Sequence, residues 1–277
     1  MKKTKIDWAD STWNPITGCL HGCEYCYARG IAKRFGGHLA ALRGKPVHPD
    51  EKKWEMRFEN IHVLDAPMRN TSTYEYMRIA GINEGRKIPY PFDFEPTFHR
   101  YRLDEPQRWT KPRTIFVCSM ADMFGDWVPD EWIQEVYDAC GKAARHRYLF
   151  LTKNPERGME LFSKKIAPPI GTDWMIGYTL DGTQKDEYPR VGGKKSFISI
   201  EPLLKPLSPF WEVAIPGQAW IIIGAETGNR KGKVVPEKAW IDRIVTLANV
   251  GHVPVFMKES LREIMGDDFR QEFPWEV

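Results

Sequence analysis

Short runs of apolar and β-branched residues recur along the later two-thirds of this chain. They fall at 97–103, 113–118, 147–152, 174–179, 196–200, 219–224 and 253–257. Runs of this length, bounded by turn-forming residues, predict β-strands. A lead-in at 5–18, punctuated by Pro15 and Gly18, adds one more, giving eight candidates. Three of them, 147–152, 196–200 and 219–224, are almost unbroken apolar stretches. Such stretches are expected where both faces of a parallel strand are buried.

Helical spacing fills the intervals. Residues 24–35 place Tyr27, Ile31 and Phe35 on one side. Residues 130–145 align Ile133, Val136, Tyr137, Cys140 and Ala144, and 155–164 opens on Pro155, which suits a first helical turn. Residues 236–249 open on Pro236 and align Trp240, Ile241, Ile244, Val245 and Ala248. Strand, helix, strand in alternation predicts an α/β fold, a parallel sheet with its helices outside. Eight such units close a TIM-like (β/α) barrel, and six leave a partial one. Residues 36–96 break the pattern and are too long for a simple connection, although 73–80 reads as a short helix. The expectation is one domain over 1–277, with 36–96 as a lid, an insertion or a substrate-facing wall.

Composition narrows the class. Of 277 residues, 42% are hydrophobic and 28% charged, ordinary for a soluble globular protein. No apolar run approaches the roughly 18 residues that span a bilayer. The basic start lacks the apolar stretch of a signal peptide, so no membrane and a cytoplasmic location are expected. A net charge of +3 is too mild to establish nucleic-acid binding. The eleven tryptophans read mostly as core or pocket wall.

Five cysteines, three on one loop, do not form a disulfide framework. Cys140 reads as core filler and Cys118 as a buried strand end. Gly18 to Ala28 reads G-C-L-H-G-C-E-Y-C-Y-A, so Cys19, Cys23 and Cys26 have the spacing C-x3-C-x2-C. Three thiolates on one loop suit three corners of a 4Fe-4S cluster, leaving one iron open. The alternative is a structural zinc site, which wants four ligands, commonly in pairs. Here a second C-x2-C pair is missing, and His21, inside so short a ring, would be a strained fourth ligand.

The loop resembles that of the radical S-adenosylmethionine (SAM) superfamily, C-x3-C-x-aromatic-C, with Tyr25 as the aromatic. That resemblance implies a cluster whose open iron binds the amino and carboxylate groups of SAM. It also implies an external electron donor, reductive cleavage of SAM to a 5′-deoxyadenosyl radical, and Tyr25 near the cofactor. In such barrels the site lies at the C-terminal strand ends. The residues there are Ser119 and Asp122, Lys153, Asp181, Glu201, Glu226, and Lys258 with Glu259. SAM offers complementary groups. Lys153 suits its carboxylate, Ser119 the methionine moiety, and Glu201 or Glu226 the ammonium or ribose hydroxyls. Gly224 either permits close approach of the adenosine or serves a turn.

Read together, the motifs T-W-N-P-I-T-G-C, P-x-x-I-F-V-x-S-M-x-D-x-F, F-L-T-K-x-P-E-R, S-x-E-P-L-L and W-x-I-x-G-x-E-x-G resemble a family of phage and bacterial proteins. Its members are treated as radical-SAM-like, and their reaction is unassigned. The likeness covers 5–35 and about 97–258. It departs at Asn154, where arginine is expected, and at Y-T-L-D (178–181), so substrate contacts are not carried over there. The strand ends S-x-x-D and T-K are also similar to those of the spore photoproduct lyases, in which the serine and lysine contact SAM. The function expected is therefore a radical SAM enzyme. Its substrate leans to a nucleic acid or nucleotide, with a small metabolite or peptide also open. The competing class is a non-catalytic protein that uses zinc or an iron–sulfur cluster as a staple and binds a partner.

Overall fold

The computed structural model describes residues 4, 6–36, 61–69, 85–185, 193–228 and 230–276. Among them, seven strands form one sheet in which every neighbouring pair is parallel. The strands are β1 (Ser11–Trp13), β5 (Thr114–Val117), β6 (Arg147–Thr152), β7 (Asp173–Leu180), β8 (Gly193–Ile200), β9 (Gln218–Ile223) and β10 (Val255–Met257). They lie side by side in chain order, and β1 and β10 remain unpaired to each other. The sheet is a curled half-barrel, the partial form of the expected α/β fold.

The expected strand at 97–103 is not part of the barrel. Only Thr97–His99 is extended, and this β4 pairs with β2 (Ile16–Thr17) and β3 (His62–Leu64) in a small side sheet. Arg100–Arg102 then coils into a 3-10 turn, which ends the strand. That diversion is why eight candidates yield a seven-stranded sheet. Most of 36–96, including the short helix expected at 73–80, lies outside the described residues.

Helices α2 (Asp130–Lys142), α3 (Pro155–Ser163) and α5 (Lys238–Val250) connect the barrel strands, near where helical spacing put them. The Asn154 side chain caps α3 by accepting from Arg157 N at 3.3 Å. Two short helices, α4 (Pro209–Glu212) and α6 (Arg262–Met265), fill in around β9 and β10. Cys140 is fully buried on α2, and Cys118 is buried against the same outer core. Helix α1 (Tyr27–Phe35) departs from expectation. Tyr27, Ile31 and Phe35 share a side, but that side is exposed, and the inward residues are Ala28 and Ala32. Two alanines let the helix backbone approach closely.

The inner face of the sheet is aromatic at its base. Trp8, Phe116, Leu149, Met175, Phe197, Trp220, Ile222 and Phe256 form one buried cluster, joined by Phe273 and Trp275. Trp220 meets Trp275 at 5.3 Å and Trp8 at 6.2 Å between ring centres. This plug closes the N-terminal end of the barrel. Side chains along a strand alternate between faces. The same inner face therefore carries Leu149 and Leu151 on β6, Phe197 and Ser199 on β8, and Trp220 and Ile222 on β9. Past the strand ends the alternation continues to Lys153, to Glu201, and to Gly224 and Glu226.

Gly177 is the inner-facing residue of β7 against which the Phe197 ring lies, and an added Cβ would collide with that ring. Gly177→Ala is expected to destabilise the fold by about 1–3 kcal/mol through overpacking. Adding Phe197→Leu should recover part of the loss. Urea unfolding of the two variants checks this, and a neutral Gly177→Ala would show that the ring has room to move.

Candidate functional site

The cysteine loop follows β1 and β2 and is pinned at its root by Gly18. This residue adopts a left-handed φ of 88°, and a Cβ there would strike the Glu95 carbonyl. Gly18 N donates to Met120 O at 2.9 Å, and Cys19 N to Phe94 O at 3.2 Å. The loop is thus tied to the ends of β5 and of the side sheet. Gly22, also left-handed at 74°, turns the chain between the first two cysteines.

Cys19, Cys23 and Cys26 are free and half-buried. Cys26 caps α1, its sulfur accepting from Arg29 N at 3.4 Å. Burial pushes the Cys19 thiol up to about 12, and Asp122 and the other two cysteines add to the rise. Among the described residues, no three of the Cys, His, Asp and Glu side chains stand together as a metal-binding group. The loop brings the three cysteines into one neighbourhood without converging their sulfurs. The donor chemistry nevertheless fits an iron–sulfur cluster: three unpaired thiols on one loop, whose deprotonation a bound cation would favour.

His21 is not free to swing. Its Nε2 donates to Asp122 Oδ2 at 2.7 Å, and its ring meets Trp127 edge-on at 5.0 Å. A carboxylate only accepts, so Nε2 carries the proton. Asp122 is buried, and its two oxygens take four donors. Besides His21 they are Thr152 Oγ1 at 3.0 Å, Lys153 N at 2.8 Å and Phe124 N at 3.0 Å. One carboxylate therefore joins the cysteine loop to the ends of β5 and β6.

The aromatic of the cysteine motif makes a second tie. Tyr25 donates to Asp181 Oδ2 at 2.5 Å and accepts from Lys153 Nζ at 2.8 Å. Lys153 Nζ stands 3.9 Å from the same Asp181 oxygen. Burial pushes the Asp181 carboxyl up, but hydrogen bonds from Thr183 and Tyr25 and the charge of Lys153 outweigh it, and the net shift is downward. Burial and the neighbouring Asp181 raise the Tyr25 phenol. Asp181 thus stays ionised and Tyr25 protonated across neutral pH.

The other expected residues fall on the same rim. Ser119 Oγ donates to Asn14 Oδ1 at 3.1 Å, and Asn14 also accepts from Met120 N at 3.0 Å. Glu201 pairs with Lys258 across the mouth. A Cβ on Gly224 would reach Lys258 Cδ at 3.0 Å and Glu201 Cγ at 3.2 Å, so its bare backbone makes room for that pair. Glu226 is buried beneath Arg230, which reaches its two oxygens at 2.5 and 2.7 Å. Tyr27 exposes about half its surface, 54%, yet turns its hydroxyl inward to donate to Ser119 O at 2.7 Å. Burial raises that phenol, with the charges of Glu201 and Cys26 adding.

Asn14, Tyr27 and Arg230 were missed as site residues in the sequence. Asn14 and Tyr27 lie within the quoted motifs, and Arg230 follows G-A-E-T-G by two residues, but nothing in their spacing marks them. A separate pocket of about 220 Å³ opens on the helix-facing side, lined by Gly158, Phe162, Trp174 and Lys195 among others.

The sequence matches a family model described as "Protein of unknown function (DUF5131)" over residues 3–263. The chain belongs to that family. No curated protein matches this DUF5131 chain. Among solved structures it is similar to spore photoproduct lyase complexed with a dinucleoside spore photoproduct. The identity is 10% and the TM-score 0.47, over 93% of this chain and 79% of that one. A cysteine-to-serine mutant of the lyase matches at 11% identity and a TM-score of 0.45, with the same coverage. A double mutant with bound AdoMet and the dinucleoside matches at 10% and 0.40, over 90% and 63%. No helix among the described residues is long and apolar enough to cross a membrane.

Asp122→Asn keeps the shape but turns one acceptor into a donor facing other donors. It is expected to cost about 1–3 kcal/mol. Thr152→Val, which removes one of the four donors, should cost less. Equal losses in urea unfolding would show that Asp122 is not the shared tie.

Proposed function

We propose that this chain is a radical SAM enzyme, with Cys19, Cys23 and Cys26 holding a 4Fe-4S cluster over the barrel mouth. The observation that carries the reading is that the cysteine loop reaches into the charged strand-end rim through two of its own side chains, His21 and Tyr25. A loop stapled only for stability has no need of Lys153 and Asp181 at its tip. Once bound and reduced by an external donor, such a cluster supplies the electron that cleaves SAM to a 5′-deoxyadenosyl radical.

The residues of the chain position and shield SAM. Lys153, one quarter exposed, has its ammonium presented by Tyr25 and Asp181 and takes the SAM carboxylate. Ser119 spends its proton on Asn14, which leaves its lone pairs to accept from the SAM ammonium. Glu201, half-buried beside Gly224 and paired with Lys258, takes the ribose hydroxyls. Glu226 acts at one remove, because Arg230 and Val234 N occupy its oxygens. The aromatic plug below denies water a route from the other end. The substrate class that suits the mouth is a nucleic acid or nucleotide.

One observation favours the competing reading. A histidine that ligates zinc commonly donates its other ring proton to a carboxylate, and His21 donates to Asp122. A Cys3His zinc staple would use His21 Nδ1.

Anaerobic reconstitution with iron and sulfide, followed by SAM and dithionite, decides between them. The expected result is iron uptake and 5′-deoxyadenosine by chromatography, both lost in Cys23→Ala. Stoichiometric zinc that iron does not displace, and that His21→Ala abolishes, would establish the staple instead. Product formation that survives Cys23→Ala would defeat the ligand assignment.

A further inference from the structure

The loop after β9 is built around an arginine that the SAM contacts do not use. Glu226 lies at the inner-face position above Gly224, with its side chain 2% exposed. Both its oxygens are committed to Arg230, and Val234 N adds a contact at 3.3 Å. A carboxylate buried so deeply is retained only when paired. Here the pairing fixes a guanidinium by two of its nitrogens. The third nitrogen points toward the cysteine loop, 3.8 Å from Glu24 Oε2, outside hydrogen-bond range. Glu24 is itself 87% exposed and free to swing away.

Lys231 and Lys233 follow this arginine in the chain, and both are exposed. Gly228 and Gly232 hold left-handed φ values of 88° and 76°, with open space where a Cβ would stand. The backbone there is accessible to a ligand. The arc of cations continues along the rim. Lys205 follows β8 and Lys185 follows β7, and both are exposed. Their loops touch, because Leu204 N donates to Asp181 O at 2.9 Å. The carboxylates facing this arc from β7, β8 and β9 are Asp181, Glu201 and Glu226, and each is already paired with a cation.

We propose that Arg230, Lys231 and Lys233, continued by Lys205 and Lys185, bind the sugar–phosphate backbone of a single-stranded nucleic acid and lead it across the barrel mouth. This rests on the reading of the mouth as the reaction site and names its substrate class. The chemistry favours phosphate. A pre-oriented guanidinium suits phosphate oxygens, and successive cations along a rim match successive phosphates better than one small anion. A base held in a stacked duplex is out of reach of a recessed site, so the strand must be single or opened.

The test is binding of a fluorescein-labelled mixed-sequence DNA decamer to the full chain, read by anisotropy across a salt series. At about 50 mM salt, Lys231→Glu with Lys233→Glu is expected to weaken binding by about 10-fold or more. It should also flatten the plot of log K against log salt by about 1.4, at roughly 0.7 for each phosphate that is no longer neutralised. A charge swap on the exposed α2 face, Glu131→Lys with Lys142→Glu, should change neither. An unchanged affinity and slope in the double loop variant would overturn the proposal. So would equal binding of poly-glutamate, which marks an acidic-peptide surface, or a mononucleotide that competes as well as the decamer. SAM cleavage by the same wild-type preparation separates the two readings. Deoxyadenosine without decamer binding removes the phosphate rim alone, and decamer binding without deoxyadenosine keeps the rim and removes the radical chemistry.

Discussion

Burying a carboxylate costs free energy unless donors replace the water it loses. Asp122 meets that condition with four of them, from His21, Thr152, Lys153 and Phe124. Two are backbone amides, one just past the end of β6 and one in the loop after β5. The third comes from a threonine on β6, and the fourth is the only one from the cysteine loop. At Asp122 the loop is registered against the rigid part of the fold through His21, and Tyr25 makes a second tie at Asp181 and Lys153. The cysteine positions relative to Lys153 depend on both contacts. The amide of Lys153 and the ring of His21 share one acceptor oxygen, so the loop and the lysine are fixed to a common point.

The pleat of the parallel sheet supplies the rest of the arrangement. Alternation carries one face of β6 to β10 from aromatic residues at the base to ionisable residues at the rim. Most of those groups stand one residue past a strand end, so the strand's own direction largely aims them. Residues fixed on strands hold tighter geometry than residues on loops. The aromatic plug of Trp8, Trp220, Phe256, Phe273 and Trp275 stiffens the base. The bare backbones of Gly177 and Gly224 provide local room, one for the Phe197 ring and one for the Glu201–Lys258 pair.

Much of this was legible in the chain. The runs at 147–152 and 196–200, and all but the last residue of 219–224, lie within strands because a two-sided burial requirement leaves few polar positions, and that is a local signal. The three-cysteine loop was legible from spacing alone. What stayed hidden depends on long-range partners. Residues 97–103 read as a barrel strand, but Thr97–His99 pairs with Ile16–Thr17, across 80 residues of chain, and Arg100 begins a turn. His21 read as a strained zinc ligand, and its partner Asp122 is 101 residues away. Tyr27, Ile31 and Phe35 gave an apolar stripe whose spacing was right and whose direction was not, since the two alanines, not the large residues, set how α1 docks. Arg230 gave no signal because its role depends on Glu226 being buried, which composition does not reveal.

The rim holds its charges in pairs: Lys153 with Asp181, Lys258 with Glu201, and Arg230 with Glu226. Each acid stands at the end of one strand, and its base comes from another strand or from the following loop. A ligand with both a carboxylate and an ammonium enters such a ring by exchanging partners, not by meeting bare charges. Exchange of this kind yields little net affinity, because a satisfied pair is broken for each one formed. It yields discrimination instead. A ligand lacking one charge leaves a half-buried group unpaired, and that penalty falls on the wrong ligand alone. The Arg230 pair differs from the other two: its acid is nearly sealed, and its base keeps a nitrogen turned outward. Its buried partner fixes where the cation points without presenting an oxygen to the ligand. The strand-end carboxylates of β7 and β8 thus belong to the recess, and that of β9 serves the surface around it.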